Sequence, residues 1–443
     1  MTGDRYVLLG LARPRAAWFR DVGRWATSAV VPAEFLKCVS VEELRVRLDS
    51  GRSHSAVLLD GTLPAVDRDL IGVAREAGCV AVVVDDGRTG RDWTALGAAA
   101  VLAPDFPAEA LLDVLAASAT MVGRGAAVVD TGVPRSQLDE GSAPASVVAV
   151  LGPGGTGAST VAAALAQGLG YAEPGRRGLG YAEPGSVLLA DLALHAEQAM
   201  LHDVRDVVPG IQELVEAHRS GRPSAEAVRA LTFSVVDRRY SLLLGLRQAR
   251  YWATLRPRAF SAAFESLRAA YATVVCDVAA DLEGEDDGGS SDVEDRNLMA
   301  RTVVPAADLV FAVGRPGVKG VHALVRVLSD LGRAGIPAGR IVPVVNLAPR
   351  APRARAELSR ALADLAAPAL GGGRTVAPVF LPTRRVEEAM RDAVRLPAPL
   401  PGLLAGAYRA VVDRLGSLET PSVGPPEIVR PGSVGSWSQD RPG

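Results

Sequence analysis

Four glycines and three hydroxyl residues stand within nine positions of this chain, directly after a short apolar run and directly before an alanine-rich stretch. The segment reads GPGGTGAST over residues 152–160. Glycines allow successive backbone N–H groups to approach an anion closely, and a following helix adds the positive end of its dipole. A hydroxyl at the end of such a loop can ligate Mg²⁺. The spacing therefore predicts a phosphate-binding loop.

The lysine that normally completes such a loop is missing. The usual pattern reads G-x-x-x-x-G-K-[ST]. Gly152 and Gly157 hold its two glycine positions and Ser159 holds its hydroxyl, but Ala158 stands at the lysine position. The backbone cradle needs no side chain, so we predict that the loop still binds a nucleotide. The predicted contact residues are Gly152, Gly154, Gly155, Thr156, Gly157, Ala158, Ser159 and Thr160.

Two aspartates lie at the ends of apolar runs that predict strands. Asp191 ends SVLLAD (186–191), and Asp277 lies near the end of TVVCDV (273–278). The C-terminal ends of parallel strands open on one edge of a sheet, and carboxylates at that edge can hold Mg²⁺ or orient water. Ser159, Asp191 and Asp277 are therefore the predicted metal ligands. A helix-capping role for Asp277 is the alternative.

The order of apolar runs predicts two sheet units. Residues 1–120 alternate strand-like runs at 6–11, 55–61, 79–86 and 98–104 with helical periodicity at 41–48, 70–78 and 108–119. Residues 146–415 carry predicted strands at 147–152, 186–191, 273–278, 308–314, 340–346 and 375–382. We predict an α/β fold with two doubly wound parallel-sheet domains, 1–120 and 146–415, a linker at 121–145 and a disordered tail at 416–443.

The composition favours a globular, cytoplasmic protein. A 443-residue chain that is 48% hydrophobic can bury at least two cores. Its net charge of -2 gives no overall field that would favour nucleic acid or an anionic membrane, and its three cysteines follow no metal-ligand spacing. Residues 141–172 carry no charge, but Pro153 within the glycine cluster favours a strand–loop–helix over a membrane span. We expect neither nucleic-acid binding nor an integral membrane segment.

The first unit resembles a response-regulator receiver domain. In that family an aspartate at the end of the third strand accepts a phosphoryl group, and Asp60 in AVLLDG occupies that place. The family's acidic pair after the first strand and its lysine after the fifth strand are missing, since this chain has Gly10 and Leu11 at the first place and Leu102-Ala103-Pro104 at the second. The resemblance therefore implies a pseudo-receiver that docks partners or dimerises, rather than a phosphorylated switch.

The second unit resembles the deviant-Walker MinD/ParA family of P-loop ATPases, and within it the CpaE/TadZ branch, in which a pseudo-receiver precedes the ATPase-like domain. The motifs that carry the resemblance are GPGGTGAST, VLLADLAL, YATVVCD and VVN. The resemblance implies ATP and Mg²⁺ as ligands and assigns Asn346, which ends VVN, to the adenine base. A turn-forming role for Asn346 is the alternative. CpaE-like members commonly carry Ala-Ser-Thr at the loop end, so Ala158 is interpreted as a feature of that branch.

Three departures from the family pattern bear on hydrolysis. Pro153 replaces the signature lysine, Ala158 the lysine within the loop, and Ala193 the second aspartate of D-x-D. Each lost charge-assisted hydrogen bond weakens nucleotide binding by about 1.5–3 kcal/mol, and a missing transition-state cation lowers the rate by about 10³–10⁵. We expect weak binding with slow or absent hydrolysis. Arg315 and Lys319 are the candidate substitute cations.

Three functions stay open on the sequence. The first is a CpaE/TadZ/MinD-like ATP-binding positioning or regulatory protein, for which the resemblance implies Flp/Tad pilus or secretion localisation, or septum-site determination. Protein partners from those machineries, a homodimer and recruitment to a membrane or cell pole through partners would follow. The second is an active ATPase with a substitute cation, and the third is a nucleotide-free scaffold. The acidic run at 283–295 is interpreted as a solvated, flexible loop, and a metal- or partner-binding role is the alternative.

Overall fold

The computed structural model describes residues 5–122, 145–171, 185–285, 290–373 and 375–419. Most of the predicted linker at 121–145 and of the predicted tail at 416–443 lies outside these residues. The described residues form two sheets with helices on both faces of each. The prediction of an α/β fold with two doubly wound, parallel-type sheets is therefore confirmed.

The first sheet has five parallel strands in the order β2-β1-β3-β4-β5. Its central strand, β3, is buried along its whole length because helices cover both faces. The elements in chain order are β1 (Tyr6–Leu11), α1 (Ala17–Thr27), β2 (Ala33–Cys38), α2 (Val41–Leu48), β3 (Ala56–Asp60), α3 (Arg68–Glu76), β4 (Val80–Val84), β5 (Ala100–Leu102) and α4 (Ala108–Ser118).

The apolar runs did not reveal α1 or β2. Strand β2 reads AEFLKC and lies at the edge of the sheet, where most of its residues are only half-buried. Glu34 and Lys37 interrupt its apolar pattern, as is usual on an edge strand, where charged side chains hinder pairing with another chain. An edge strand with this pattern does not resemble a buried one in sequence.

The second sheet has eight strands in the order β13-β12-β11-β6-β10-β7-β9-β8. The described pairs are parallel except β8 with β9, which is antiparallel. The elements are β6 (Ser146–Leu151), α5 (Ala158–Gly170), β7 (Val187–Leu192), α6 (Gln198–Leu201), α7 (Ile211–Ser220), α8 (Ala225–Arg229), β8 (Phe233–Val235), β9 (Tyr240–Leu243), α9 (Pro257–Ala270), β10 (Thr273–Val278), α10 (Ser291–Arg296), α11 (Leu298–Ala306), β11 (Leu309–Gly314), α12 (Val318–Arg333), β12 (Ile341–Ala348), α13 (Pro352–Ala366), β13 (Val379–Pro382), α14 (Glu387–Arg391) and α15 (Leu400–Glu419).

Several element boundaries differ from the predicted ones. Strands β8 and β9 were not predicted, because runs of three and four residues are too short to show a period. Within the predicted strand at 375–382, only the residues from Val379 to Pro382 form a strand, β13. Helix α15 extends to Glu419, so the first residues of the predicted tail are helical.

The acidic run at 283–295, interpreted from the sequence as a loop, includes most of helix α10. Residues 286–289 of this run lie outside the described part of the chain. Arginines explain why the acidic residues can be ordered here: Arg301 forms an ion pair with Glu294, and Arg296 forms one with the adjacent Asp281. Both arginines follow the acidic residues closely in sequence, so the charges of this region are partly neutralised within it.

The cores of the second sheet lie on its two faces. Along β6, Val147, Ala149 and Leu151 enter one apolar cluster, whereas Val148 and Val150 enter the other. This alternation between two covered faces explains why the strand reads as a continuous apolar run.

Helix α5 lies between the second sheet and α15, and every residue from Val161 to Leu169 is buried. Small side chains permit this close packing. A Cβ added at Gly168 would lie 2.2 Å from the Pro401 carbonyl oxygen. The alanine-rich sequence after the loop is thus a requirement of packing.

The first unit contacts the second through α3. The buried Asp69 carboxylate accepts hydrogen bonds from the backbone N–H groups of Arg258 (2.9 Å) and Ala259 (3.2 Å), in the first turn of α9. Beside it, Arg219 Nε donates to Asp67 at 2.7 Å. Asp69 therefore satisfies helix donors of the other unit and complements the positive end of that helix.

In the part of the chain that the structure describes, no helix combines the length and the apolar character needed to cross a bilayer.

Candidate functional site

The glycine-rich loop connects the end of β6 to the start of α5, as predicted for a strand–loop–helix. Gly155 and Gly157 have φ values of 75° and 85°, the left-handed conformation that glycine adopts without strain. A Cβ at Gly152 would lie 2.4 Å from the Val313 carbonyl oxygen. Among the described residues, a Cβ at Gly154 or Gly155 would meet nothing within 4 Å, so this side of the loop is open in the described part of the chain.

Two side chains form hydrogen bonds that hold the loop, one from inside it and one from strand β12. Thr156 Oγ1 donates to the Pro153 carbonyl at 2.7 Å, and Asn346 Nδ2 donates to the Thr156 carbonyl at 2.9 Å. Asn346 Oδ1 accepts the backbone N–H of Leu347, also at 2.9 Å. The structure thus places Asn346 against the loop with both atoms of its amide engaged. Its assignment to an adenine base stays a prediction.

The ends of the strands bring the predicted metal ligands together. Asp277 on β10 is in register with Asp191 on β7 and with Val150 on β6, the strand that leads into the loop. Asp191 is completely buried, and Asp277 is 2% exposed. The Ser159 carbonyl oxygen and Asp277 Oδ2 both accept from one amide nitrogen, Gln198 Nε2, at 3.0 Å and 2.7 Å. Hence Ser159, Asp191 and Asp277 form one cluster at the start of α5.

This cluster buries two carboxyl groups away from water. Burial and the charge of Asp277 raise the pKa of Asp191 well above its ordinary value. Burial raises the pKa of Asp277 to about 6. The hydrogen bond from the Gln198 side chain and the nearby Ser159 hydroxyl oppose that rise. None of the ion pairs among the described residues includes either carboxylate. Buried carboxylates without a cationic partner favour the binding of a cation or a proton.

Gln198, at the start of α6, is a site residue that the sequence did not reveal. It is completely buried. Its backbone N–H donates to Asp191 Oδ2 at 2.9 Å, and its side-chain Nε2 donates to Asp277 Oδ2 at 2.7 Å and to the Ser159 carbonyl at 3.0 Å. Its Oε1 is buried and has no hydrogen-bond partner among the residues that the structure describes. A single glutamine seven positions after Asp191 matches no motif, so only the fold identifies it.

Ala193, which departs from the family pattern, and Arg315, a candidate substitute cation, both contact this site. Ala193 contributes only a backbone N–H, 3.5 Å from Asp191 Oδ1. Arg315 follows β11 and is exposed, and its Nη1 donates to the Gly155 carbonyl at 3.4 Å. Lys319 is exposed in the first turn of α12. Of the two candidate substitute cations, Arg315 is therefore the one with a hydrogen bond to the loop.

The Asp60 carboxylate of the first unit is engaged by its neighbours. Arg13 donates to Asp60 Oδ2 through its backbone N–H (3.2 Å) and its Nε (3.3 Å), and Thr62 donates to Oδ1 through its backbone N–H (3.0 Å) and its hydroxyl (2.5 Å). Burial opposes ionisation of Asp60, but these hydrogen bonds and the Arg13 charge leave its pKa below the ordinary value. A positive charge thus faces Asp60 from the segment after β1, where receivers carry acids.

No family model matches this chain, and no curated protein matches it. Solved structures do. A ParA family ATPase from Chlorobium tepidum TLS is 16% identical, over 62% of this chain and 93% of its own, with a TM-score of 0.41. The septum site-determining protein MinD complexed with Mg-ADP, from Pyrococcus horikoshii OT3, is 19% identical over 62% and 98%, with a TM-score of 0.42. A chain of the MinC:MinD cell division protein complex from Aquifex aeolicus is 17% identical over 62% of this chain and 98% of its own, with a TM-score of 0.40.

Proposed function

We propose that this chain binds ATP with Mg²⁺ at the loop of residues 152–160 and acts as a nucleotide-responsive positioning protein. The observation that carries the proposal is the juxtaposition of an open glycine turn with a buried acidic pair that the Gln198 amide links to Ser159. Phosphate groups need backbone donors and a helix N-terminus, which the turn and α5 supply. A divalent cation needs hard oxygen ligands, which Ser159 and Asp277 supply.

The donor set fits Mg²⁺. Ser159 and Asp277 would hold the ion, and Asp191 would add negative charge from the neighbouring strand. The bound ion would supply the positive charge that the loop lacks and would neutralise phosphate oxygens. Backbone N–H groups from Gly154 to Ser159 would bind the phosphates.

Hydrolysis is expected to be slow or absent. Ala158 and Pro153 provide no ammonium group to stabilise charge that develops in the transition state. Ala193 provides no carboxylate to orient an attacking water. The chain would therefore respond to nucleotide by binding it, and ATP binding would set its dimerisation or its partner affinity.

The experiment that tests this proposal is calorimetric titration of the full chain with ATP, with and without Mg²⁺. Binding that strengthens when Mg²⁺ is present is the expected result. The nucleotide-free scaffold is the competing function, and the two hydrogen bonds that hold the loop through Thr156 and Asn346 favour it, because they stabilise the turn without a ligand. An absence of heat at millimolar ATP would establish the scaffold and refute the proposal.

The contact of Arg315 with the loop favours an active ATPase as a second candidate. Steady-state phosphate release distinguishes it from a binding protein. Turnover that disappears in Arg315→Ala but persists in Lys319→Ala would show that Arg315 serves as the substitute cation. Lys319 is a suitable control because it is a nearby exposed cation on α12.

The cellular role that we propose follows from the motif resemblance. It comprises localisation of a Flp/Tad-type pilus or secretion apparatus, or septum-site determination, with a protein of that machinery as the partner. Capture of partners from cells with the full chain, in the presence of ATP and of ADP, tests it. A protein of either machinery retained only with ATP is the expected result, and retention that does not depend on nucleotide would contradict a nucleotide-responsive role.

A further inference from the structure

The side-chain amide of Gln198 contacts two residues of the proposed cation site, Asp277 and Ser159. Its Nε2 is 2.7 Å from Asp277 Oδ2 and 3.0 Å from the Ser159 carbonyl oxygen. Both of these atoms are acceptors, so the nitrogen of the amide, and not its oxygen, has to face them. The partial positive charge of an N–H group thus occupies the space beside the buried acidic pair.

The opposite end of the same amide is left without compensation. Gln198 is completely buried, and its Oε1 has no hydrogen-bond partner within the described part of the chain. An unsatisfied buried acceptor disfavours the conformation that creates it. Asp277 and the Ser159 carbonyl therefore hold the amide in an orientation that leaves its oxygen without a hydrogen bond among the described residues.

The backbone of Gln198 is fixed on both sides. Its N–H donates to Asp191 Oδ2 at 2.9 Å, and its carbonyl lies 2.7 Å from His202 Nδ1. Burial and the charge of Arg238 lower the pKa of His202 to about 4, so this ring is neutral at physiological pH. Since a carbonyl can only accept, Nδ1 carries the proton, and Nε2 accepts from Tyr240 and Arg238.

Arg238 connects this network to the segment that contains α14. The guanidinium is completely buried and donates through Nε to the Val394 carbonyl (2.9 Å) and through Nη2 to the Ala389 carbonyl (2.6 Å). The position of Gln198 is thus determined by a chain of buried hydrogen bonds and not by the short helix α6 alone. Only its side chain remains able to reorient.

We propose that Gln198 is a latch on the cation site, which holds Asp277 and Ser159 in the cation-free chain and which a divalent cation has to displace. The proposal rests on the proposed function insofar as the cation accompanies ATP. A cation bound at the Asp277 carboxylate repels the N–H group that donates to Asp277 Oδ2. Displacement removes this repulsion and allows the buried Oε1 to find a partner. Gln198 therefore sets the cation concentration at which the site fills.

The test is Mn²⁺ binding to the full chain without nucleotide, measured from the free-ion electron paramagnetic resonance signal. In Gln198→Met the amide is replaced by an apolar group of similar length, so the cation no longer competes with a donor. We expect Gln198→Met to bind Mn²⁺ at least about tenfold more tightly than the unmodified chain, because a hydrogen bond to a charged group contributes on that scale. Gln198→Asn, which is too short to bridge both acceptors, should shift the affinity in the same direction and serves if the Met variant does not fold.

Gln167→Met is the matched control. Gln167 is a buried glutamine on α5 whose amide bonds the backbone of Leu396, remote from the acidic pair in the hydrogen-bond network. Its loss should lower thermal stability and leave Mn²⁺ affinity unchanged. Equal affinity in the Gln198 variants and the unmodified chain would overturn the latch, and weaker binding would overturn it by showing that Oε1 is a ligand.

The latch and the proposed function fail in different ways. If ATP binds but substitution of Gln198 leaves Mn²⁺ affinity unchanged, the latch is wrong and the function stands. If Mn²⁺ affinity rises in Gln198→Met and ATP does not bind, the function is wrong and the latch stands. If Mn²⁺ binds to none of these proteins, the latch is overturned.

Discussion

Asp191 and Asp277 lie opposite each other on the adjacent parallel strands β7 and β10, and both carboxylates are buried beside the loop. The same strand register that puts them there also brings Asp277 next to β6, which leads into the loop. A lysine in that loop would be expected to offset their charge, and Ala158 cannot. The pair therefore makes the cation-free site less stable as the pair ionises.

The stability of the cation-free chain should depend on pH through this pair. Burial raises the pKa of Asp277 from its ordinary value of 3.8 to about 6 in the folded chain. Because the folded state binds the proton more tightly than the unfolded state, the contribution of Asp277 to stability is full below pH 3.8 and is lost as the pH rises through about 6. Asp277→Asn should remove this loss.

We expect Asp277→Asn to gain about 2–3 kcal/mol in unfolding free energy, relative to the unmodified chain, between about pH 4 and pH 7. Urea unfolding in the presence of a chelator measures it. Asp364→Asn, which changes an exposed aspartate on α13, is the control and should show no such gain. A constant difference between Asp277→Asn and the unmodified chain across this range would contradict the proposed burial of charge.

The buried guanidinium of Arg238 should be important for stability. Arg238→Met would leave the Val394 and Ala389 carbonyls without their donors, and we expect a loss of about 3 kcal/mol in urea unfolding, since hydrogen bonds to a charged group contribute about 1.5–3 kcal/mol. Arg384 also donates to backbone carbonyls but is exposed, so Arg384→Met should cost less than about 1 kcal/mol. Equal effects of the two substitutions would show that burial of the guanidinium is not what matters.

The contact between the two units should depend on Asp69. Asp69→Ala removes the acceptor for two N–H groups in the first turn of α9, and a loss of about 1–2 kcal/mol is expected, as for a helix cap. Glu76 pairs with Arg258 at the same contact but is largely exposed, so Glu76→Ala should cost no more than about 1 kcal/mol. Proteolysis between the units should accelerate only in Asp69→Ala. If neither variant is cleaved faster, α3 does not hold the units together.

Asp60 should not accept a phosphoryl group. Its carboxylate is already bonded to Arg13 and Thr62, and the segment after β1 supplies a cation where a metal-binding acid would be needed. Intact-mass spectrometry after incubation with acetyl phosphate and Mg²⁺ should show no added phosphoryl group. A phosphorylated species that is absent in Asp60→Ala would contradict the interpretation of the first unit as a pseudo-receiver.

Much of the fold could be predicted because strands covered on both faces read as apolar runs. Strands β3, β6 and β10 are of this kind, and each was located within a residue or two. Strand β2 at one sheet edge and β8 at another lack this signal, since an edge strand is short or partly exposed. Periodicity therefore revealed the centre of each sheet better than its borders.

The candidate site was predictable only as far as its residues lie next to recognisable sequence features. Ser159 follows the glycines, and Asp191 and Asp277 end apolar runs, so each has a local signal. Gln198 and Asn346 act through contacts with residues 39 and 190 positions away, which no local pattern encodes. The strand register that brings these residues together is a property of the whole sheet.

The central claim is that backbone N–H groups of the loop bind the nucleotide without an ammonium group. Calorimetric titration of Gly157→Val with ATP and Mg²⁺ tests it most directly, because Gly157 has a φ of 85° and a Cβ there would lie 2.5 Å from Asn346 Nδ2. Gly339→Val, at a glycine whose added Cβ meets nothing within 4 Å, is the matched control. We expect ATP to bind the unmodified chain and Gly339→Val but not Gly157→Val, and equal binding to all three would contradict the claim.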